Sequence, residues 1–420
     1  MVNIGIVGVG TVGASVANIL EKNADIIEAR AGKKIVVKRG VVGDMSKKRN
    51  VNITLSDRVE DILDDSDIDI VVELMGGVEQ PYEIVKKALE KGKAVVTANK
   101  ALLAYHRYEL QALAGDIPFM YEASTAGGIP IIGALRNGLS ANHIESIMGI
   151  MNGTCNYMLT KMIQEGALYD EILKESQELG YAEADPSFDV GGFDAAHKLL
   201  ILASIAYGID AKPEDIVIEG IERISKVDVD FAKEFGYEIK LLGIAKKAPN
   251  GVELRVHSTM IPQQSMIAKV DGVMNAVTVV GDCVGETMYY GAGAGGDATA
   301  SAVISDIIDI VRGNQGPMLG YKKGLESGLQ LLPKEEIVSK YYLRLKVIDE
   351  SGVLAQIASK LGEFNISIAS MLQKPSDEGE KAHLLFTTHQ CKESDIQSAI
   401  TALSTLESVD EEVVMIRIEK

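Results

Sequence analysis

Asp194 and Lys198 stand four residues apart in the stretch FDAAHKLLILA. On a helix that spacing puts both side chains on one face. The rest of the stretch is mostly Ala, Leu and Ile, so the carboxylate and the ammonium are expected to be poorly solvated. Charges leave water at a high cost unless they are paired, and a part-buried lysine beside carboxylates is a candidate for catalysis. A protonated lysine suits a reaction in which negative charge grows on an oxygen, because it stabilises that charge and then delivers a proton. Just upstream, Glu183, Asp185 and Asp189 share a loop punctuated by Pro186, Gly191 and Gly192. Composition alone leaves a purely structural ion pair on a buried helix open, and favours it.

A second constellation lies at the start of the chain. Gly8-Val9-Gly10-Thr11-Val12-Gly13 follows an apolar run, VNIGIV, and opens the helical pattern TVGASVANILEKN. In a strand-turn-helix setting the first glycine permits the tight turn, the second lets a pyrophosphate approach the backbone, and the third allows close helix-sheet packing. The helix N-terminus, with Thr11 and Val12, then faces the phosphates. The strand-like KIVVKRGVVG leads to Asp44, later than the usual ~20 residues, because a further helical stretch intervenes. Asp44 would accept the ribose hydroxyl of NAD, whereas Lys47, Lys48 and Arg49 would hold the extra phosphate of NADP. Both cofactors stay open, as does a plain solvated turn.

Hydrophobic patterning supplies the elements that must position these groups. Up to about residue 130, short apolar runs (DIDIVVEL, KAVVTANK, PFMYEAS) alternate with helical segments such as PYEIVKKALEKG, the signature of a parallel sheet covered on both faces. From 131, helical IIGALRNGLSAN and FDAAHKLLILASIAYG mix with strand-like YEIKLLGIAKKA, GVELRVHSTMI and AVTVVGDCVG. ATASAVISDIIDIVRG predicts a last helix that returns to the first domain and stops at Gly313. Turn formers and charge fill 321–340, and the tail from Tyr341 reads strand, helix, strand, strand, helix, strand. The fold class expected is α/β: a Rossmann-type doubly wound parallel sheet (1–130 with 297–320), a mixed α+β substrate and dimerisation domain (131–296), a linker (321–340) and a ferredoxin-like βαββαβ unit (341–420).

At 420 residues, 46% hydrophobic and 24% charged, the chain has ample material for several cores. A net charge of −18 argues against nucleic-acid or acidic-membrane partners. Cys155, Cys283 and Cys391 are odd in number and far apart, which fits a reducing compartment better than a disulfide framework. The first residues show no basic leader, and no apolar run approaches the ~18 residues that would span a bilayer. A cytoplasmic protein is expected.

Six blocks in order, GVGTVG, TANKALLA, YEASTAGGIPII, MNGTCNYML, YAEADPSFDVGGFDAAHKLLILA and GAGAGGDATASAV, resemble those of the homoserine dehydrogenases over about residues 1–320. The resemblance implies NAD(P)H-dependent reduction of L-aspartate 4-semialdehyde to L-homoserine, a step of threonine, methionine and isoleucine biosynthesis. It makes Lys198 the catalytic lysine, Asp194 its neighbour on the same helix, and Lys100 a second lysine between nicotinamide and substrate. Glu183 then holds the substrate ammonium, Asp189 lines the same site, and Asn152, Gly153, Thr154 and Tyr157 form the substrate loop. Glu122, Thr125, Gly127 and Ile129 match a sodium site, and Gly295 lies in the glycine-rich loop that returns to the cofactor. Two departures stand out: His197 where many members have arginine, and Gly43 where NADP-preferring members often have arginine.

DESGVLAQIASKLGEFNISIASM resembles the opening of an ACT domain. The likeness puts Asp349, Gly352, Val353 and Leu354 at an effector-binding turn and Asn365 at the start of the second strand, with L-threonine as the implied effector. An ACT unit and a mixed sheet both tend to pair, so a homodimer or homotetramer is expected. The rival readings are a dehydrogenase of another small amino-acid aldehyde and a catalytically silent sensor of nucleotide and amino acid. The first has no need of the DPSFDVGGFDAAHK block; retention of Lys198, Asp194, Glu183 and Lys100 together argues against the second.

Overall fold

Continuous apolar strands can be buried on both faces only if helices cover them, and the first sheet shows this. The computed structural model describes residues 1–314, 316–324, 328–375 and 381–420. These fall into two compact units, Met1–Gly153 with Asp194–Asp215 and Val273–Leu329, and Thr154–Phe193 with Ile216–Gly272 and Gln330–Lys420.

In the first unit six strands run in the order Leu55–Ser56, Ile35–Val41, Val2–Val7, Ile70–Glu73, Ala94–Thr97, Phe119–Met120. All pairings are parallel. The order turns back at Val2–Val7, so the crevice for a dinucleotide opens at the carboxyl ends of that strand and its neighbour. Helices Thr11–Lys22 and Gly296–Arg312 share one core with the sheet, Val16 and Leu20 meeting Val303, Ile307 and Ile4. Gly313, at φ 72°, ends the second helix. The intervening helix that delays Asp44 is Ala24–Ala31.

Two sequence expectations needed correction here. PFMYEAS yields only a two-residue strand, because the Glu122 amide donates to the Asp306 carboxylate (2.8 Å) instead of a ladder and the chain turns into a short 3-10 helix. The segment from Ile131 begins as α-helix but widens to a π-turn at Ala134–Gly138. The same unit holds an antiparallel set, Ile144–Ile150, Met274–Gly281 and Gly285–Ala292.

In the second unit the hairpin Tyr237–Ala248 and Gly251–Pro262 pairs through its second strand with the last strand of the chain, Val414–Ile418, at Thr259–Arg417 and Met260–Ile418. The tail forms the expected βαββαβ order and begins at Val338. Its core gathers Leu343, Leu345, Ile357, Leu361, Leu384, Phe386, Ile396 and Leu403. Within the 321–340 segment, Gln330 and Leu332 exchange backbone hydrogen bonds with Val252 at 2.9 Å each, so that stretch extends the sheet. Asn365 does not begin the second strand. It takes a left-handed φ of 57° in the turn after Val353–Glu363, a conformation its short polar side chain tolerates, and the strand starts at Ile368. Among the described residues no helix is long and apolar enough to cross a membrane.

Candidate active site

Helix Phe193–Tyr207 is buried almost throughout, and its two charged residues pair. Lys198 Nζ donates to Asp194 Oδ2 (2.8 Å) and to the Met151 carbonyl (2.6 Å). Asn152 Nδ2 donates to the same Oδ2 at 2.8 Å. On the other side, Asp194 Oδ1 lies 2.5 Å from Lys100 Nζ. One buried carboxylate thus gathers two ammonium groups. Burial alone would push the Asp194 carboxyl up, but Lys198 and Lys100 outweigh it and hold the group well below the usual carboxylate range. His197, one residue from Lys198, is pushed down to about 4 by burial, with Lys100 and Lys198 acting in the same direction against Asp194. Its neutral ring packs edge-on to Tyr105.

Lys100 owes its place to a buried scaffold that the sequence pattern does not reveal. It is the first residue of helix Lys100–Ala114, capped by Asn99 Oδ1, which accepts from the Leu102 amide (3.0 Å). The Asn99 amide donates to Thr97 Oγ1 (3.0 Å), and Thr97 Oγ1 donates to Glu73 Oε2 (2.5 Å). Glu73 Oε1 accepts from the Met75 amide at 2.6 Å. Desolvation raises the Glu73 carboxyl to about 7. The available signal was a lone acid closing the apolar run DIDIVVEL.

The glycine turn has the shape a pyrophosphate needs. Gly8 sits at φ +100°, and a Cβ there would lie 2.6 Å from the Leu74 carbonyl oxygen; one at Gly13 would lie 2.3 Å from that of Gly8. At Gly10 an added Cβ meets nothing within 4 Å, so the space beside the turn is open there. Thr11 and Val12 form the first turn of the helix. The returning loop lies against it: Gly295 takes φ +116°, and a Cβ at Gly296 would come 2.8 Å from Ser15 Oγ and 3.1 Å from Thr11 Cγ2. Asp44 is exposed and accepts from the Ser46 amide and hydroxyl (2.9 and 2.6 Å), which lowers its pKa. Arg49 is engaged by the main chain, donating to the carbonyls of Val9, Asp44 and Lys47, while Lys47 and Lys48 are exposed.

Glu122 accepts from the amides of Ile132 and Gly133 at 2.8 and 2.7 Å and has no ion-pair partner among the described residues. Burial raises its pKa, and burial raises that of fully enclosed Asp306 still further, with Arg136 opposing both. Beside it the Thr125–Ile129 turn holds two successive left-handed residues, Ala126 (φ 56°) and Gly127 (φ 55°). Glu122 and Asp306 are thus two buried carboxyls near a single guanidinium, that of Arg136.

The other residues singled out in the sequence are spread over both units. Gly153 admits no side chain, because a Cβ would lie 2.7 Å from the Val273 carbonyl oxygen. In the second unit Thr154 donates to the Tyr181 carbonyl (2.7 Å) and Tyr157 to Glu175 (2.5 Å). Glu183 is exposed and Asp189 half-buried, the latter within the short helix Ser187–Val190, whose Asp189 carbonyl accepts from Cys155 Sγ at 3.2 Å. In the tail, Gly352 (φ +99°) caps helix Val353–Glu363, Val353 is buried, Leu354 is exposed, and Asp349 accepts from Gln373 at 3.0 Å. The structure therefore brings Lys100, Asn152, Asp194 and Lys198 together, whereas Thr154, Tyr157, Glu183 and Asp189 belong to the other unit.

A doubly wound parallel sheet with a fitted glycine turn at its switch point defines a dinucleotide-dependent α/β protein. Profiles described as "Homoserine dehydrogenase, NAD binding domain", "Homoserine dehydrogenase" and "ACT domain" match residues 8–116, 130–308 and 341–408. A homoserine dehydrogenase of Helicobacter pylori is 56% identical over 417 residues, covering 99% of each chain, and one of Pseudomonas aeruginosa is 46% identical, covering 100% of this chain and 99% of that one. The crystal structure of a homoserine dehydrogenase from Thiobacillus denitrificans superposes with a TM-score of 0.95 at 45% identity, over 100% of this chain and 98% of that one. The chain belongs to the homoserine dehydrogenase family and is an NAD(P)-dependent oxidoreductase with a C-terminal ACT domain.

Proposed function

We propose that the protein reduces L-aspartate 4-semialdehyde to L-homoserine, within threonine, methionine and isoleucine biosynthesis in the cytoplasm, with NADPH or NADH. The single observation that carries the chemistry is the Lys100–Asp194–Lys198 cluster, a buried carboxylate holding two ammonium groups. When bound, the reduced nicotinamide supplies a hydride to the aldehyde carbon. Lys198 stabilises the negative charge that grows on the carbonyl oxygen and donates the proton that completes the alcohol. Lys100 polarises the same oxygen, and Asp194 orients both lysines. Glu183 holds the substrate ammonium, with Asp189, Asn152, Gly153, Thr154 and Tyr157 around it. Gly8, Gly10, Thr11, Val12, Gly13, Asp44 and Gly295 hold the dinucleotide.

Glu122, with carbonyls of Thr125, Gly127 and Ile129, would hold sodium, which supplies positive charge and rigidity to that turn. Residues 1–130 with 297–320 serve the cofactor, 131–296 substrate binding and dimerisation, and 341–420, after the 321–340 linker, regulation. The ACT domain supports feedback by L-threonine at Asp349, Gly352, Val353, Leu354 and Asn365, in a homodimer or homotetramer. Oxidation of NADPH and NADH by the purified protein is to be followed with and without aspartate semialdehyde, then with added threonine. Turnover dependent on the semialdehyde supports the activity; oxidation absent with both cofactors sinks it.

A further inference from the structure

Arg417, on the last strand, is 1% exposed. Its guanidinium donates through Nη1 and Nη2 to both carboxylate oxygens of Glu219 (2.8 and 2.9 Å). Through Nε and Nη2 it also reaches Glu393 (3.0 and 2.5 Å), which accepts from the Tyr341 hydroxyl at 2.9 Å. Such bidentate, charge-assisted pairs fix geometry as well as energy.

Gly220 and Ile221, next in the chain after Glu219, lie directly on the turn that carries Asp189. The Ile221 amide donates to the Val190 carbonyl (3.0 Å). A Cβ at Gly220 would lie 2.1 Å from the Val190 oxygen and 2.8 Å from Gly191 Cα, and one at Gly192 would lie 3.0 Å from the Glu219 oxygen. On its other side the segment is held to strand Gly251–Pro262 by Glu219 N–H to the Val256 carbonyl (2.8 Å) and by Ser258 Oγ to the Gly220 carbonyl (3.0 Å). Beside this link is a cavity of about 510 Å³ lined by Gly191, Phe193, Glu219, Gln397, Ile400 and Met415. Across this cavity the Arg417–Glu219 pair links the last strand to the segment behind the turn, alongside the strand pairing at Thr259–Arg417 and the Arg223–Glu412 ion pair (3.0 Å).

We infer that Arg417 is a positioning residue: through Glu219 it ties the last strand of the ACT domain to the Ser187–Gly192 turn, so that an amino acid bound to that domain alters substrate binding. The inference rests on the activity proposed above and adds the route by which regulation reaches the substrate site.

Arg417→Met risks misfolding, so Glu219→Gln, which spares the Arg417–Glu393 pair, is the test. With the full-length enzyme, KM for aspartate semialdehyde is expected to rise roughly tenfold, about 1.4 kcal/mol, at kcat within about twofold of wild type. The threonine concentration for half-inhibition shifts with it. Glu219→Asp, which keeps the charge, recovers most of the loss. Lys392→Met, which removes an exposed ion pair between the ACT domain and Glu336 just before it, changes neither parameter. Amide exchange at Val190 and Gly191 is expected to quicken in Glu219→Gln, and this readout stands even if wild-type enzyme proves inactive on the semialdehyde, which would sink the activity instead. Unchanged KM in an active enzyme, or unchanged exchange at the turn, overturns the inference.

Discussion

Lys100 Nζ lies 2.5 Å from Asp194 Oδ1, joining the turn after a parallel strand to the buried helix that carries Lys198. The same carboxylate meets Lys198 at 2.8 Å, so the cluster carries one excess positive charge around a buried carboxylate, with Lys100 half-buried at its edge. That excess favours an oxygen on which negative charge is forming.

Loss of either partner should therefore act on turnover. Lys198→Met is expected to lower kcat by ~100-fold or more, the scale of general acid catalysis. Asp194→Asn leaves two ammonium groups facing each other and should also reduce kcat strongly. Steady-state kinetics at saturating cofactor decide the roles: a loss under about tenfold in Lys198→Met would move proton donation to Lys100.

The glycine turn separates folding from binding. Gly10→Ala meets no neighbour within 4 Å, so the variant should fold with wild-type stability while its new methyl obstructs the pyrophosphate and weakens dinucleotide affinity. Gly8→Ala combines φ +100° with a 2.6 Å clash against the Leu74 carbonyl and should lose stability. Thermal unfolding and dinucleotide titration of both variants test this. A Gly10→Ala protein that binds the dinucleotide normally would remove that glycine from the site.

Much of this was legible in the sequence because local pattern fixed it. The Asp194–Lys198 pair comes from helical spacing, the dinucleotide turn from G-x-G-x-x-G after a strand, and the tail from six segments in ferredoxin-like order. The scaffold beneath Lys100 was not legible, since Glu73, Thr97 and Asn99 meet through hydrogen bonds between separate strands. The engagement of Arg49 by three main-chain carbonyls was hidden for the same reason. Strand ends failed at Phe119–Met120 and Asn365, where a side-chain acceptor and a left-handed turn decided the backbone.

Glu73 makes stability depend on pH in a direction unusual for a carboxylate. Its folded pKa is raised from 4.5 to about 7, so the folded state binds more protons between those values, and this contribution is fully present at low pH and lost as pH rises through 7. His197 works the other way: lowered from 6.5 to about 4, it costs stability as pH falls from 6.5 towards 4. Glu73→Gln removes the first effect alone. Relative to wild type, the variant should gain on the order of 3 kcal/mol between pH 5 and pH 8. Urea midpoints at the two pH values measure it, and an equal offset at both would show that Glu73 is ionised throughout.

Glu122 makes the monovalent cation testable without turnover. A cation that binds only the folded state raises stability by about 2.7 kcal/mol at a hundredfold excess over its dissociation constant. Wild-type protein should therefore melt higher in sodium chloride than in tetramethylammonium chloride of equal ionic strength, a comparison that holds screening constant. Glu122→Gln keeps an acceptor for only one of the Ile132 and Gly133 amides, which lowers stability in either salt, and removes the charge that would hold the ion, so its melting temperature should be the same in both salts. Identical melting of the wild-type protein in the two salts would exclude a sodium site there and leave Glu122 as an anchor for the helix that begins at Ile131.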